Sequence, residues 1–189
     1  MLWKFISSYI EMITQTLYQK AIVFAAGKHQ ETDQKIPGSN LPYVVHLSNV
    51  TMEIIIAASQ SANFNLDFAI QVALLHDVLE DTSATLEELK LEFGLDIANA
   101  VSALTKNSQL LKEQQMLDSL FRIKKLSAEV WAIKMADRIT NLQKPPLHWE
   151  KSKKIKYQEE ARVILAELKD GNAYLARRLA EKIKEYEII

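Results

Sequence analysis

The chain has 189 residues, 48% of them hydrophobic, with four glycines, four prolines, no cysteine and a formal net charge of −1. That length suits one domain with a sizeable core, and so few glycines and prolines disfavour a turn-rich all-β sandwich. A charge near zero supplies no global pull toward nucleic acid or an anionic membrane. The absence of cysteine excludes disulfides and thiolate-held zinc, so any metal must be held by nitrogen and oxygen.

In chain order, the first predicted element is a helix from about residue 2 to His29, with one possible break. Its Trp3, Ile6, Ile10, Ile13 and Leu17 recur at helical spacing, and polar residues interrupt its apolar runs, none of which reaches the length expected of a signal peptide or a membrane span. An amphipathic helix packed on the domain is the reading, against an interfacial membrane helix, and a cytoplasmic protein follows as the default. "QETDQKIPGSNLPY" is the clearest loop. Helical periodicity resumes near Val44 and runs to about Ala62. "NLDFAIQVALLHDVLED" reads as one third helix. Thr85 with Glu88 forms a capping box before "LEELKLEF", and Gly94 stops that helix. "LDIANAVSALTK" is a short amphipathic helix, and residues 107–113 are a polar loop. "VWAIKMADRITNLQ" ends before Pro145-Pro146, which cannot continue it. A helix from about Ser152 to Leu168 stops at Gly171, and a last one carries Leu175, Leu179, Ile183 and Tyr186. The fold expected is a single all-α domain of about eight helices.

The chemistry concentrates in "ALLHDVLEDT", residues 73–82. Taking His76 as zero on a continuous helix, Asp77 lies at about 100°, Glu80 at about 40° and Asp81 at about 140°. All four share one broad face. Carboxylates on an otherwise buried helix are costly unless they meet something positive, a metal ion or Lys and Arg partners. His46 near the start of an apolar helix and Asp137 in "IKMADRITNL" are candidate further ligands. Two imidazoles and two carboxylates suit Mn²⁺, Fe²⁺ or Zn²⁺ better than Ca²⁺. His29 and His148 read as structural and surface residues, and most lysines of "EKSKKIKY" as a solvated face.

The order His46, His76-Asp77, Asp137 resembles the HD-domain phosphohydrolases. "LPYVVHLSNV", "VALLHDVLEDTSATLEELKLEFG", "VSALTK" and "IKMADRITNL" are similar to successive motifs in the hydrolase domain of RelA/SpoT homologs, with a layout like that of the stand-alone small alarmone hydrolases, over roughly residues 20–185. The resemblance implies an HD-domain helical bundle spanning 1–189, with the amphipathic segment 1–19 in front. It implies a metal-dependent enzyme that removes pyrophosphate from the 3′ position of guanosine tetra- and pentaphosphate. His46, His76, Asp77 and Asp137 would hold one Mn²⁺, and Glu80 and Asp81 would position or deprotonate the attacking water. Lys35, Lys112, Asn141, Lys153 and Tyr157 align with substrate-binding residues. Gln34 departs from the family, which has a base-stacking Arg there; Gln is planar but uncharged, so the cation–π part is lost. Arg138 or another cation is the candidate substitute, and Pro37-Gly38-Ser39-Asn40 marks a longer or reshaped loop. The partner implied is a small phosphorylated nucleotide, not nucleic acid or membrane; oligomeric state has no signature. A synthetase domain has no room in 189 residues. Two other readings stay open: the same enzyme class acting on another nucleotide, such as a 2′- or 3′-monophosphate, and a non-catalytic nucleotide-binding module. The intact ligand set argues against the second.

Overall fold

The computed structural model describes residues 2–146 and 148–186, with side chains from Ile13 onward. Trp3, Ile6 and Ile10, which carry the expected packing of the first helix, lie outside the described side chains. Among the described residues the protein is all-α, as expected. Its helices are α1 (Leu2–Glu31), α2 (Val44–Ser59), α3 (Leu66–Leu75), α4 (Val78–Asp81), α5 (Leu86–Phe93), α6 (Leu95–Leu104), α7 (Lys112–Ile123), α8 (Ala128–Asn141), α9 (Lys151–Leu168) and α10 (Ala173–Glu185). None is long and apolar enough to cross a membrane.

Helix α3 is the centre of the assembly, flanked by α1, α2, α6 and α8. Every residue from Ala69 to Leu75 is buried, which is why its sequence shows a continuous apolar run rather than a stripe. Asn65 starts it by accepting the Phe68 N–H at 3.1 Å. Leu74 and Leu75 are fully enclosed, and burial of each contributes roughly 1.5–3 kcal/mol. Helix α8 packs on both α2 and α3 and buries Val130, Ile133, Met135 and Ile139. Helix α10 is tied to α2 by a two-bonded ion pair from Arg178 to Glu53, both contacts at 2.5 Å. Gly94 joins α5 to α6 at φ 87°, a left-handed conformation that leaves no gap between the two helices and that a side chain would strain.

Several boundaries differ from expectation. The first helix is unbroken. The third is not: α3 ends at Leu75 and α4 starts at Val78, with Asp77 at φ −104°, ψ −2° between them. The reason is geometric. Neighbouring residues on an unbroken helix point apart, whereas here His76 Nε2 and Asp77 Oδ2 stand 3.0 Å apart. The break also divides the expected common face, as described below. The polar loop after α6 is shorter than expected because Lys112 already opens α7. That helix was obscured in sequence by its largely charged and exposed surface; only Ser119, Leu120 and Ile123 are buried. Among the described residues the count therefore rises from about eight to ten α-helices, one of them a single turn.

Candidate metal centre

Four side chains from three helical regions converge on one small cluster. His46 comes from the first turn of α2, His76 and Asp77 from the break between α3 and α4, and Asp137 from the last turns of α8. One ligand atom from each lies within 4.8 Å of all the others. His46 Nε2 is 3.4 Å from His76 Nε2, 3.5 Å from Asp137 Oδ1 and 3.8 Å from Asp77 Oδ2. His76 Nε2 is 3.0 Å from Asp77 Oδ2 and 3.7 Å from Asp137 Oδ1. Ligands held at about 2.1 Å from one ion stand roughly 3.0–3.4 Å apart at tetrahedral or right angles. The four donors therefore fit a divalent metal ion.

Both imidazoles are oriented from behind. His76 Nδ1 donates to the Ala73 carbonyl at 2.8 Å. Thr140 gives its hydroxyl hydrogen to the Asp137 carbonyl at 2.9 Å and faces His46 Nδ1 at 3.4 Å with its lone pairs. Each ring thus carries its hydrogen on Nδ1 and turns the Nε2 lone pair inward, the arrangement a metal ligand needs. Two lone pairs and two carboxylates facing one another require a positive charge among them. Burial alone would lower the His76 pKa, but the Asp77 carboxylate at 3.0 Å and the Asp137 carboxylate at 3.7 Å hold it well above its ordinary value. A proton there and a metal ion are alternative solutions to the same electrostatic demand.

The carboxylates remain ionised. Burial opposes the charge on Asp77, yet His76 holds its pKa well below the usual range. Burial likewise opposes Asp137, and the Lys134 ammonium and both histidines outweigh it. Lys134 Nζ lies 3.2 Å from Asp137 Oδ2, and Asn141 donates to Asp137 Oδ1 at 2.5 Å. Asn141 is therefore committed to a carboxylate of this cluster. Tyr43 donates to Asp77 Oδ2 at 2.5 Å. Burial, then the charge of Asp77, pushes the Tyr43 hydroxyl far above its ordinary range and keeps it a donor. Sequence reasoning missed Tyr43, Lys134 and Thr140; the signal was a polar residue within an otherwise apolar motif.

Glu80 and Asp81 diverge, contrary to the common face expected. Glu80 turns toward the end of α6, where it receives the Lys106 ammonium at 2.6 Å and the Lys106 N–H at 3.1 Å. Lys106 was also missed, although it ends the quoted "VSALTK". Asp81 turns to the opposite loop and accepts from Gln34 Nε2 at 2.8 Å. Desolvation raises the Asp81 pKa, the Gln34 bond opposes that, and the Asp77 and Glu80 charges add to it.

Beside Glu80 opens a cleft of about 1010 Å³ between α7 and α9, lined by Lys106, Lys112, Lys153, Lys156, Trp149 and Tyr157 among others. Glu80, Glu113 and Glu160 also line it; with Lys106 paired to Glu80, Lys112, Lys153 and Lys156 beside Trp149 and Tyr157 remain to meet an anion that also carries a ring. Lys153 lies over the Trp149 ring at 4.1 Å. Lys156 joins the cleft although "EKSKKIKY" read mostly as a solvated face. Lys35 is elsewhere: exposed, it pairs with Asp33 at 2.5 Å. Arg138 is not free to replace the missing family Arg. It is buried, its guanidinium sits 4.2 Å from the Tyr157 ring centre, and it pairs with Glu160 at 3.5 Å. The 34–43 loop closes on itself through an Ile36 N–H to Leu41 carbonyl bond at 3.0 Å and a bridge between Lys35 and Pro42. His29 is buried and His148 exposed.

Comparison with known proteins follows the same lines. The HD domain matches residues 21–179. Guanosine-3′,5′-bis(diphosphate) 3′-pyrophosphohydrolase MESH1 of Drosophila melanogaster is 29% identical over 172 residues, covering 89% of this chain and 93% of that protein. The Homo sapiens MESH1 is 28% identical over 170 residues, covering 88% and 92%. A solved structure described as a metazoan ortholog of SpoT that hydrolyzes ppGpp superimposes with a TM-score of 0.77 at 28% identity, covering 92% of this chain and 97% of that one.

Proposed function

We infer the reaction from the premise that this chain belongs to the HD domain family, whose match spans residues 21–179. The chain is a metal-dependent guanosine 3′,5′-bis(diphosphate) 3′-pyrophosphohydrolase. The observation that carries this reading is the convergence of His46, His76, Asp77 and Asp137 within 4.8 Å beside a lysine-lined cleft. The names of the MESH1 relatives supply the substrate.

His46, His76, Asp77 and Asp137 would hold Mn²⁺, which the mixed nitrogen and oxygen set suits. Bound there, the ion supplies Lewis acidity toward phosphoryl oxygens and toward water. The protein does the rest. Water forms a new bond to the phosphorus attached to the 3′ oxygen, that P–O bond breaks, pyrophosphate leaves, and the 3′ oxygen takes a proton, giving GDP or GTP. Asp81, whose pKa is raised, is suited to accept the water's proton. Glu80, held by Lys106, completes the pair that positions the water. Lys112 and Lys153 neutralise phosphate charge along the cleft, where positioning and charge matter more than covalent chemistry. Tyr157 lines the same cleft, whereas Asn141 and Lys35 would reach substrate only by leaving Asp137 and Asp33. A cytoplasmic location goes with a nucleotide substrate.

One observation favours a second reading, the same chemistry on another phosphorylated nucleotide: Gln34 is uncharged and bonded to His29 and Asp81. A panel of 2′- and 3′-phosphorylated nucleotides separates the two. The direct test is incubation of the purified chain with Mn²⁺ and guanosine 3′,5′-bis(diphosphate). Pyrophosphate is released, and chelation or His76→Ala stops it. Intact substrate at high concentrations of metal-loaded protein overturns the proposal.

A further inference from the structure

The Gln34 side chain is bonded at both ends. Its Oε1 meets Nδ1 of His29, and its Nε2 donates to Oδ2 of Asp81 at 2.8 Å. The residues joined are 47 positions apart, so no local preference creates the contact. The direction of the chain follows from chemistry. An ionised carboxylate only accepts, so the amide must turn its NH₂ toward Asp81 and its oxygen toward His29; the flipped amide would set oxygen against oxygen. His29 is only 2% exposed, and burial, the largest influence on it, lowers its pKa. A neutral ring facing an amide oxygen must carry its hydrogen on Nδ1. The other ring nitrogen, Nε2, has no hydrogen-bond partner among the described residues. Nothing else therefore competes to orient the imidazole's polar edge.

The backbone of Gln34 is pinned as well. Its N–H donates to the His29 carbonyl at 3.1 Å, and its carbonyl accepts from the Tyr43 N–H at 3.2 Å. An amide fixed at both backbone groups and both side-chain ends cannot swing to follow a purine. What it can do is hold the carboxylate it touches.

We propose that Gln34 is a positioning residue for Asp81: the His29–Gln34–Asp81 chain fixes the orientation of the Asp81 carboxylate, and Gln34 acts on turnover rather than on base recognition. This rests on the reading of Asp81 as the group that handles the attacking water. The loop between Gln34 and Tyr43 is then a strap joined at both ends to the α4 segment, through Gln34 to Asp81 and through Tyr43 to Asp77.

The test is Gln34→Met, unbranched and of similar length but without a donor, with Gln34→Glu as a second variant that keeps the shape and reverses the contact. Two measurements are made on the full chain. The first is steady-state kinetics with Mn²⁺ on the guanosine and adenosine 3′,5′-bis(diphosphates). In both variants kcat falls about tenfold or more, a share of what an oriented general base contributes, while KM and the guanosine-to-adenosine ratio stay within about twofold. The second needs no substrate: the carboxyl carbon of Asp81 is followed by NMR through its titration. The groups that act on Asp81 are Gln34, Asp77, Glu80, His29 and the Tyr43 hydroxyl, and only Gln34 is changed. Loss of a donor to the charged form moves the Asp81 midpoint upward. A raised KM or altered base ratio at unchanged kcat makes Gln34 a base contact and overturns the proposal. So does an Asp81 midpoint that does not move. If the parent chain leaves guanosine 3′,5′-bis(diphosphate) intact, the substrate reading fails, while the titration still decides whether Gln34 holds Asp81.

Discussion

Tyr43 donates its hydroxyl hydrogen to Oδ2 of Asp77 at 2.5 Å across 34 positions of sequence. The same oxygen lies 3.0 Å from His76 Nε2, so the phenol orients this carboxylate within the candidate ligand set. Such outer partners are worth about 10–100-fold in metal affinity. Tyr43→Phe keeps the ring stacked between His29 and His46 and removes only the donor. Its Mn²⁺ affinity falls by about that factor in a competition titration against a chelating dye, with metal-free stability little changed. Unaltered affinity means that Asp77 holds its place without the phenol.

Metal binding releases a proton at neutral pH. In the metal-free protein the Asp77 and Asp137 carboxylates overcome burial and hold the His76 pKa well above its ordinary 6.5. A group so raised stays protonated below its folded pKa and must give up that proton to coordinate. Apparent affinity therefore falls about tenfold per pH unit below the folded pKa of His76 and levels off above it. Calorimetry in buffers of different ionisation enthalpy counts the proton; no dependence on buffer excludes this exchange.

Lys106 holds Glu80 with both its ammonium and its backbone N–H. Lys106→Met removes the first and leaves the second. Because the pair is partly exposed, the stability loss stays within about 1 kcal/mol. Turnover drops by roughly 10–100-fold, part of the general acid–base contribution, and Lys106→Arg restores some of it. Full activity of Lys106→Met in steady-state assays removes this residue from the site.

Gly171 sits against α8. A Cβ placed there would stand 2.6 Å from the Trp131 Cβ and 3.3 Å from the Ala128 carbonyl oxygen. Gly171→Ala therefore forces the turn before α10 away from α8, at a cost of about 1–3 kcal/mol. Urea unfolding reads this as a lower midpoint at unchanged slope. An unchanged midpoint shows that the turn has room to shift.

Much of the protein was legible in one dimension because its determinants are local. Helical periodicity exposed most of the helices, and turn and capping residues marked their ends: Thr85 accepts the Glu88 N–H at 3.2 Å, and Gly94 separates α5 from α6. The order His46, His76-Asp77, Asp137 pointed to a nitrogen and oxygen metal set, since residue type alone decides which donors are available. Three features depended on the tertiary structure. The helix breaks at His76-Asp77 because adjacent side chains must face one another, a demand that arises only when α2 and α8 bring His46 and Asp137 beside them. Glu80 and Asp81 part because their partners, Lys106 and Gln34, approach from opposite sides. Arg138, open to the base in sequence terms, is consumed by Tyr157 and Glu160. Periodicity describes one helix at a time, whereas charge pairing and desolvation depend on which helices meet, and that is decided by the packing of the whole core around α3.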